Sequence, residues 1–140
     1  RLPYMPKARS QGRGNSGCYM QGRYEVQVLD SFGLDEADNG CAGIYSIKAP
    51  DQNVCFPPGA WQTYDIDFTA AEYKDGQKVK DPIITVKENG VPVQRKVPLP
   101  HATPGGPLAA GEGPGPLYLQ DHGNPVRFRN IWFVPKAETK

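Results

Sequence analysis

Polar and apolar residues alternate along residues 18–30, and this pattern predicts a β-strand with one buried face. The apolar side comprises Met20, Tyr24, Val26 and Val28, with Gly22 among them. The polar side comprises Gln21, Arg23, Glu25 and Gln27. Two interpretations fit the polar side: it is a solvated surface of a sheet, or it is the floor of a groove that binds a polar ligand.

Similar short segments recur between breaks of glycine and proline. In residues 61–69, Asp65 and Asp67 are expected to face solvent, and the inward side comprises Tyr64, Ile66 and Phe68. Further strands are predicted at 43–48, 83–88, 91–97, 117–121 and 126–134. The last two are expected to pair as a hairpin, and Asn89-Gly90 is a strong hairpin signal. About seven strands and no convincing helix predict an all-β fold, an antiparallel β-sandwich.

Composition narrows the range of partners. A chain of 140 residues fits one domain with its own core. Its 16 basic and 15 acidic residues nearly cancel, which removes the electrostatic argument for nucleic acid. No apolar run approaches the ~20 residues that a membrane helix needs. We therefore expect neither nucleic acid nor a membrane as a partner.

The three cysteines leave two states open. A bond between Cys41 and Cys55 would close a loop of about 15 residues, worth roughly 3 kcal/mol, with Cys18 as a free buried thiol. Such a bond would indicate an extracytoplasmic protein. The alternative is three reduced, buried thiols. Because the cysteines lack paired spacing and the chain has only 2 histidines, no zinc site is expected.

The predicted last hairpin offers a second polar face. That face comprises Tyr118, Gln120, His122, Arg127 and Arg129. If it meets the polar face of 18–30, Glu25 would lie across a concave surface from the arginines and the histidine. The alternative is a set of solvent-facing ion pairs, worth about 0–1 kcal/mol each. Trp61 fits either stacking on a sugar ring or packing at the rim of the core.

Three stretches resemble the bacterial family of 3-keto-disaccharide (3-keto-glycoside) hydrolase domains. They are residues 14–33, with Gly-Arg-Tyr-Glu-Val-Gln-Val-Leu-Asp, residues 57–66, with Pro-Pro-Gly-Ala-Trp-Gln-Thr-Tyr-Asp-Ile, and residues 119–132, with Gln-Asp-His-Gly-Asn-Pro-Val-Arg-Phe-Arg. The match follows chain order over nearly the whole length. It implies a concanavalin-A-like jelly-roll sandwich and an extracytoplasmic protein, periplasmic or secreted. The spacing of Cys41 and Cys55 resembles that of family members with a disulfide there.

The resemblance implies cleavage of glycosidic bonds in sugars that carry a ketone at C3. The ketone acidifies the C2 proton, so a base can remove it and the C1 substituent leaves by elimination before water adds. Glu25 is then expected as base or metal ligand, His122 as acid or base, and Arg129 as a stabiliser of negative charge. The expected substrate-binding residues are Gln21, Arg23, Gln27, Trp61, Gln120 and Arg127. A divalent cation held by Glu25 and neighbouring oxygens would polarise the ketone.

Family domains usually carry further strands upstream of the point where this chain starts. Residue Arg1 resembles the last residue of the family's Glu-Phe-Arg element. We therefore expect residues 1–140 to form a single domain that is N-terminally truncated or completed by a separate segment. An incomplete sandwich leaves an open strand edge, and open edges favour self-association.

Two other functions remain open from the sequence. One is a non-catalytic carbohydrate-binding module on the same fold. The other is a structural subunit that completes its sandwich with a strand from a neighbouring chain.

Overall fold

The computed structural model describes residues 1–136, and their architecture is all-β. The strands are β1 (Ser16–Met20), β2 (Tyr24–Val28), β3 (Tyr64–Thr69), β4 (Glu72–Lys74), β5 (Gln77–Lys80), β6 (Ile83–Glu88), β7 (Val91–Pro98) and β8 (Tyr118–Leu119). Within this part of the chain the helical structure is one 3₁₀ turn at Ser10–Gly12. No helix of these residues is long and apolar enough to cross a membrane.

Two antiparallel sheets face each other across one core. The first has the strand order β2-β1-β8 and the second β3-β6-β7, while β4 and β5 form a separate hairpin. The core between the sheets includes Tyr24, Val26, Ile84, Val86, Val93 and Val97, all buried. Because these β-branched and aromatic residues occupy alternate positions, each strand presents one apolar face to the other sheet. The predicted antiparallel β-sandwich is confirmed.

The predicted single strand 18–30 is a hairpin instead. A turn at Gln21-Gly22 joins β1 to β2, with φ of 52° and 62° at its two central residues. The Arg23 N–H closes the turn by donating to the Met20 carbonyl at 3.1 Å. Such positive φ values match the right-handed twist of the flanking strands, and glycine adopts them without strain. The prediction missed this turn because the side-chain alternation continues through it.

The predicted last hairpin does not form. Its first half supplies β8, which pairs with β1 through Cys18 and Tyr19. Residues 126–134 are in no strand, although their sequence alternates. The side chains predicted to form an inward stripe there are largely exposed, at 77% for Trp132 and 70% for Val134. The strand ladders among residues 1–136 do not include this segment; its contacts include Arg127 with the Arg1 backbone and Arg129 with the Trp61 ring.

The other strand predictions differ in outcome. Residues 83–88 and 91–97 form β6 and β7, with positive φ at both Asn89 and Gly90 between them. In β3 the apolar residues pack against the core and both aspartates are exposed, as predicted. Residues 43–48 form a tight turn with two isolated bridges at Ile44, not a strand.

The predicted Cys41–Cys55 disulfide is not formed, and all three cysteines are free. Each thiol of the pair has other contacts. Cys41 Sγ lies 3.0 Å from Glu88 Oε1, and Cys55 Sγ lies 3.6 Å from the Leu29 carbonyl. Both belong to a small apolar cluster with Leu2 and Val28.

Candidate functional site

The β1–β2 hairpin places a carboxylate on the face opposite the core. Tyr19 pairs with Glu25 across the ladder, and Gly17 pairs with Gln27. A Cβ at Gly17 would lie 2.2 Å from Glu25 Oε1, so the missing side chain leaves the space that the carboxyl occupies. The sheet therefore buries Glu25, which is only 3% exposed, among polar neighbours and not in the apolar core.

Glu25 lies in a pocket of about 310 Å³. The pocket is lined by Gln11, Asn15, Tyr19, Glu25, Gln27, Tyr45, Pro104, Gly105, Gln120 and His122. Most of these residues carry an amide or a hydroxyl group. His122 is exposed to solvent. A concave site with a few convergent polar groups suits a small polar ligand such as a sugar.

Burial raises the pKa of Glu25 to about 7, and the neighbouring Tyr19 hydroxyl offsets part of this effect. That hydroxyl lies close to the carboxyl but donates to the Pro104 carbonyl at 2.9 Å. Gln120 Nε2 donates to the same hydroxyl at 3.3 Å. A carboxyl group with a pKa near neutrality can both take up and release a proton at physiological pH, which general acid–base catalysis requires.

Two oxygens of the pocket residues are buried without a hydrogen-bond partner: Glu25 Oε1 and Asn15 Oδ1. The Asn15 amide nitrogen is already used, since it donates to Gln11 O at 2.8 Å. Unpartnered buried acceptors are unfavourable, so the empty acceptor positions favour a ligand that brings donors or positive charge. Sugar hydroxyls or a divalent cation with oxygen ligands would satisfy both.

The long Pro/Gly loop, residues 99–117, is fixed to this hairpin and forms one wall of the pocket. The Glu25 N–H donates to Thr103 Oγ1 at 2.8 Å, and the Thr103 N–H donates to the Arg23 carbonyl at 2.9 Å. Further along, Arg23 Nε donates to the Ala109 carbonyl at 2.8 Å. The loop is therefore ordered by polar contacts with the strand that carries Glu25.

Four of the residues predicted for the site meet in this pocket: Glu25, Gln27, Gln120 and His122. The other five lie elsewhere. Gln21 lines a smaller pocket of about 180 Å³ beside Tyr73. The Arg23 guanidinium is buried and bonds backbone carbonyls of the Pro/Gly loop.

The two remaining arginines and the tryptophan form a separate group. Arg129 lies over the Trp61 ring, with its guanidinium carbon 3.8 Å from the ring centroid. Arg127 is exposed, and its N–H donates to the Arg1 carbonyl at 3.1 Å. Cation–π contact and backbone pairing account for these positions, and neither side chain reaches the pocket that contains Glu25.

Several pocket residues were missed by the sequence interpretation. Tyr19 becomes a partner of Glu25 only if the turn at Gln21-Gly22 is recognised, and Gln-Gly is a weaker turn signal than Asn-Gly. Pro104 and Gly105 come from a loop with no periodic pattern. Asn15 sits just before β1 in a glycine-rich segment, where an isolated amide has no recognisable spacing.

Comparisons with known proteins agree on one family. The sequence profile of the 3-keto-alpha-glucoside-1,2-lyase-like domain matches residues 4–134. A crystal structure from Parabacteroides distasonis, described as a candidate glycosyl hydrolase, is 39% identical and superposes with a TM-score of 0.79. The match covers 89% of this chain and 55% of that structure, so the chain spans about half of that protein's length. A comparison with curated proteins gives no match.

Proposed function

The chain belongs to the 3-keto-alpha-glucoside-1,2-lyase-like domain family, and we propose that its Glu25 pocket cleaves 3-keto-glycosides by elimination. The fold is the jelly-roll sandwich of that family, shared with the Parabacteroides structure. The observation that carries the proposal is Glu25 itself: a buried carboxyl with a pKa of about 7 and an unpartnered oxygen, facing a polar pocket.

Glu25 acts as the base in the proposed reaction. A ketone at C3 makes the C2 proton acidic, and Glu25 Oε1, which lacks any hydrogen-bond partner, is free to take it. The electron pair of the C2–H bond forms an enediolate and then the C1=C2 bond, while the C1–O bond breaks and its electrons leave on the departing oxygen. Water adding across C1=C2 completes a net hydrolysis.

The departing oxygen needs a proton, and in this proposal His122, which lines the exposed part of the pocket, donates it. An imidazole ring can both donate and accept a proton, as a general acid must. The amides of Gln27 and Gln120 would bind ring hydroxyls or the developing oxyanion. Arg129 and Trp61 are part of this proposal only if the substrate extends beyond the pocket.

A cation is compatible with this pocket. Glu25 Oε1 and Asn15 Oδ1 are hard oxygen donors of the type that Ca²⁺ or Mg²⁺ binds. Such an ion would polarise the ketone when bound. We also propose that the ligand is a carbohydrate and that the protein lies outside the cytoplasm. Both proposals rest on the family resemblance.

The test is turnover of a 3-keto-glycoside by the purified chain, with and without divalent cations, for wild type and Glu25→Gln. We expect Glu25→Gln to lower kcat/KM at least about 10²-fold, since general base catalysis contributes that much. Asp65→Asn is the matched control, because Asp65 is an exposed carboxylate on β3 outside the pocket. Full activity of Glu25→Gln would remove Glu25 from the mechanism. Substrate binding without turnover by wild type would instead indicate a carbohydrate-binding module.

A further inference from the structure

A second buried cluster of chemically reactive side chains lies away from the Glu25 pocket. Cys41 Sγ, Cys55 Sγ and a carboxylate oxygen of Glu88 all lie within 4.8 Å of one another. Cys41 comes from the loop after β2, Cys55 from the proline-bounded loop before β3, and Glu88 is the last residue of β6. All three residues are buried, and Glu88 is 0% exposed.

The cluster contains more hydrogen-bond acceptors than it has protons to donate to them. The single proton of Cys41 faces both Glu88 Oε1 at 3.0 Å and the Tyr64 hydroxyl at 3.1 Å. The Tyr64 hydroxyl donates its proton to the Gln27 carbonyl at 2.6 Å, so it acts as an acceptor toward Cys41. Glu88 Oε2 is buried with no partner at all. A buried acceptor without a donor is unfavourable, so this set favours a ligand that brings positive charge.

No basic side chain among residues 1–136 supplies that charge. Among residues 1–136, the salt bridges of the protein involve other acids, and none reaches Glu88. A disulfide would not supply it either. Oxidation would remove the Cys41 proton and leave both oxygens of Glu88 without a donor. A bound cation would satisfy the carboxylate and the two sulfurs together.

We propose that Cys41, Cys55 and Glu88 form a binding site for a thiophilic divalent cation, with zinc as the preferred ion. Two sulfur ligands and one carboxylate match zinc, whereas calcium and magnesium require oxygen ligands throughout. Three protein ligands leave one of zinc's four tetrahedral positions for water or for the Tyr64 oxygen next to Cys41.

The proposed site has a structural role. Its ligands join two long loops to the end of β6, and Tyr64 is the cross-strand partner of Glu88. Through its hydrogen bond to Gln27, Tyr64 also connects the cluster to the strand that carries Glu25. Zinc would therefore stabilise the loops and the back of the candidate pocket without taking part in its chemistry, and its binding is independent of the proposed function.

The experiment uses protein purified without chelator or reductant, and its probes are Zn²⁺ and Co²⁺ alone. We expect metal analysis of the purified protein to give one zinc per chain. After that zinc is removed by dialysis against a chelator, added Co²⁺ should give a thiolate-to-cobalt charge-transfer band that Zn²⁺ abolishes. Relative to the metal-free protein, saturating zinc should raise Tm by about 5–10 °C, while Ca²⁺ should not change it. Cys41→Ser and Glu88→Gln should lose the zinc and the shift. Cys18→Ser is the matched control, since Cys18 is a free cysteine outside the cluster, and it should retain both.

If a variant does not fold, the cobalt spectrum of the wild type is sufficient to test the proposed metal site. Absence of the charge-transfer band in folded wild type would overturn the proposal. A Cys41–Cys55 crosslink found by peptide mapping of the freshly purified protein would overturn it too, as would a cobalt band that Cys18→Ser removes.

Discussion

Tyr19 stands directly opposite Glu25 in the β1–β2 ladder, yet its hydroxyl donates to the Pro104 carbonyl and leaves Glu25 Oε1 unpartnered. One aromatic side chain thus does two things. It buries the carboxyl from one side, and it fastens the Pro/Gly loop over the pocket. A carboxyl group held in this way costs stability when ionised.

The first prediction concerns the stability cost of Glu25. Its folded pKa of about 7 lies above its ordinary value of 4.5, so between these values the folded state binds more protons than the unfolded state. The contribution of Glu25 to the stability of the wild type therefore falls as pH rises through this window. Glu25→Gln has no charge to bury. We expect it to match the wild type below pH 4.5 and to exceed it above pH 7, by on the order of 2 kcal/mol.

Denaturant titrations from pH 4 to 8 measure this difference, with Asp65→Asn as the control for an exposed carboxylate. A variant that is less stable than the wild type at pH 8 would show that the Glu25 carboxylate is a structural hydrogen-bonding group.

The second prediction separates the two roles of Tyr19. Tyr19→Phe removes a hydroxyl that lowers the pKa of Glu25. The rising limb of the pH profile of kcat/KM should therefore move to higher pH. The change also leaves the Pro104 carbonyl without its donor, at a cost of about 1–2 kcal/mol. Tyr118→Phe serves as control for the loss of a neighbouring hydroxyl, because the centroids of the Tyr118 and Tyr19 rings lie 5.6 Å apart. Identical pH profiles for wild type and Tyr19→Phe would argue against any influence of Tyr19 on Glu25.

The strand pattern alone located part of the site. Glu25 and Gln27 occupy the ligand face because alternation within one strand is a local property of the sequence. Arg23 has the same parity, yet the turn at Gln21-Gly22 directs it into the Pro/Gly loop. Local alternation does not reveal where a chain reverses, and so the pairing of Tyr19 with Glu25 could not be anticipated.

Long-range contacts explain the other differences. Residues 126–134 have a strand pattern, but burial depends on a neighbouring strand that residues 1–136 do not provide. Cys41, Cys55 and Glu88 come from three separate segments, so no motif spacing indicates that they meet. In each case the decisive partner is distant in the sequence.

The third prediction concerns Arg23 and the loop it holds. Its guanidinium donates to carbonyls of Gln21, Ala109 and Gly113. Arg23→Met keeps most of the apolar stem but leaves these carbonyls without a charged donor, so we expect a loss of about 2–4 kcal/mol. Hydrogen exchange in residues 104–114 should accelerate, and KM should rise because Pro104 and Gly105 line the pocket.

Arg95→Met is the matched control for this substitution. Arg95 is exposed and pairs with Asp51 at 2.6 Å, so its loss should cost about 0–1 kcal/mol. Equal effects of the two substitutions on stability and on loop exchange would mean that the Pro/Gly loop is held by its other contacts.

The fourth prediction is self-association through the exposed segment 126–134. Ile131, Trp132 and Phe133 are 54%, 77% and 77% exposed, and no strand of residues 1–136 pairs with their backbone. Contiguous exposed apolar groups beside an unpaired extended backbone favour association with another strand. Light scattering of the 140-residue chain should therefore show a mass that grows with concentration.

The double substitution Trp132→Ser and Phe133→Ser should reduce this growth, because it removes most of the apolar area without altering the core. The exposed pair Tyr4→Ser and Leu34→Ser, 78% and 51% exposed but isolated, is the matched control and should leave the association unchanged. A concentration-independent monomer with cooperative unfolding would contradict the prediction, because the sandwich would then be stable with this segment uncovered.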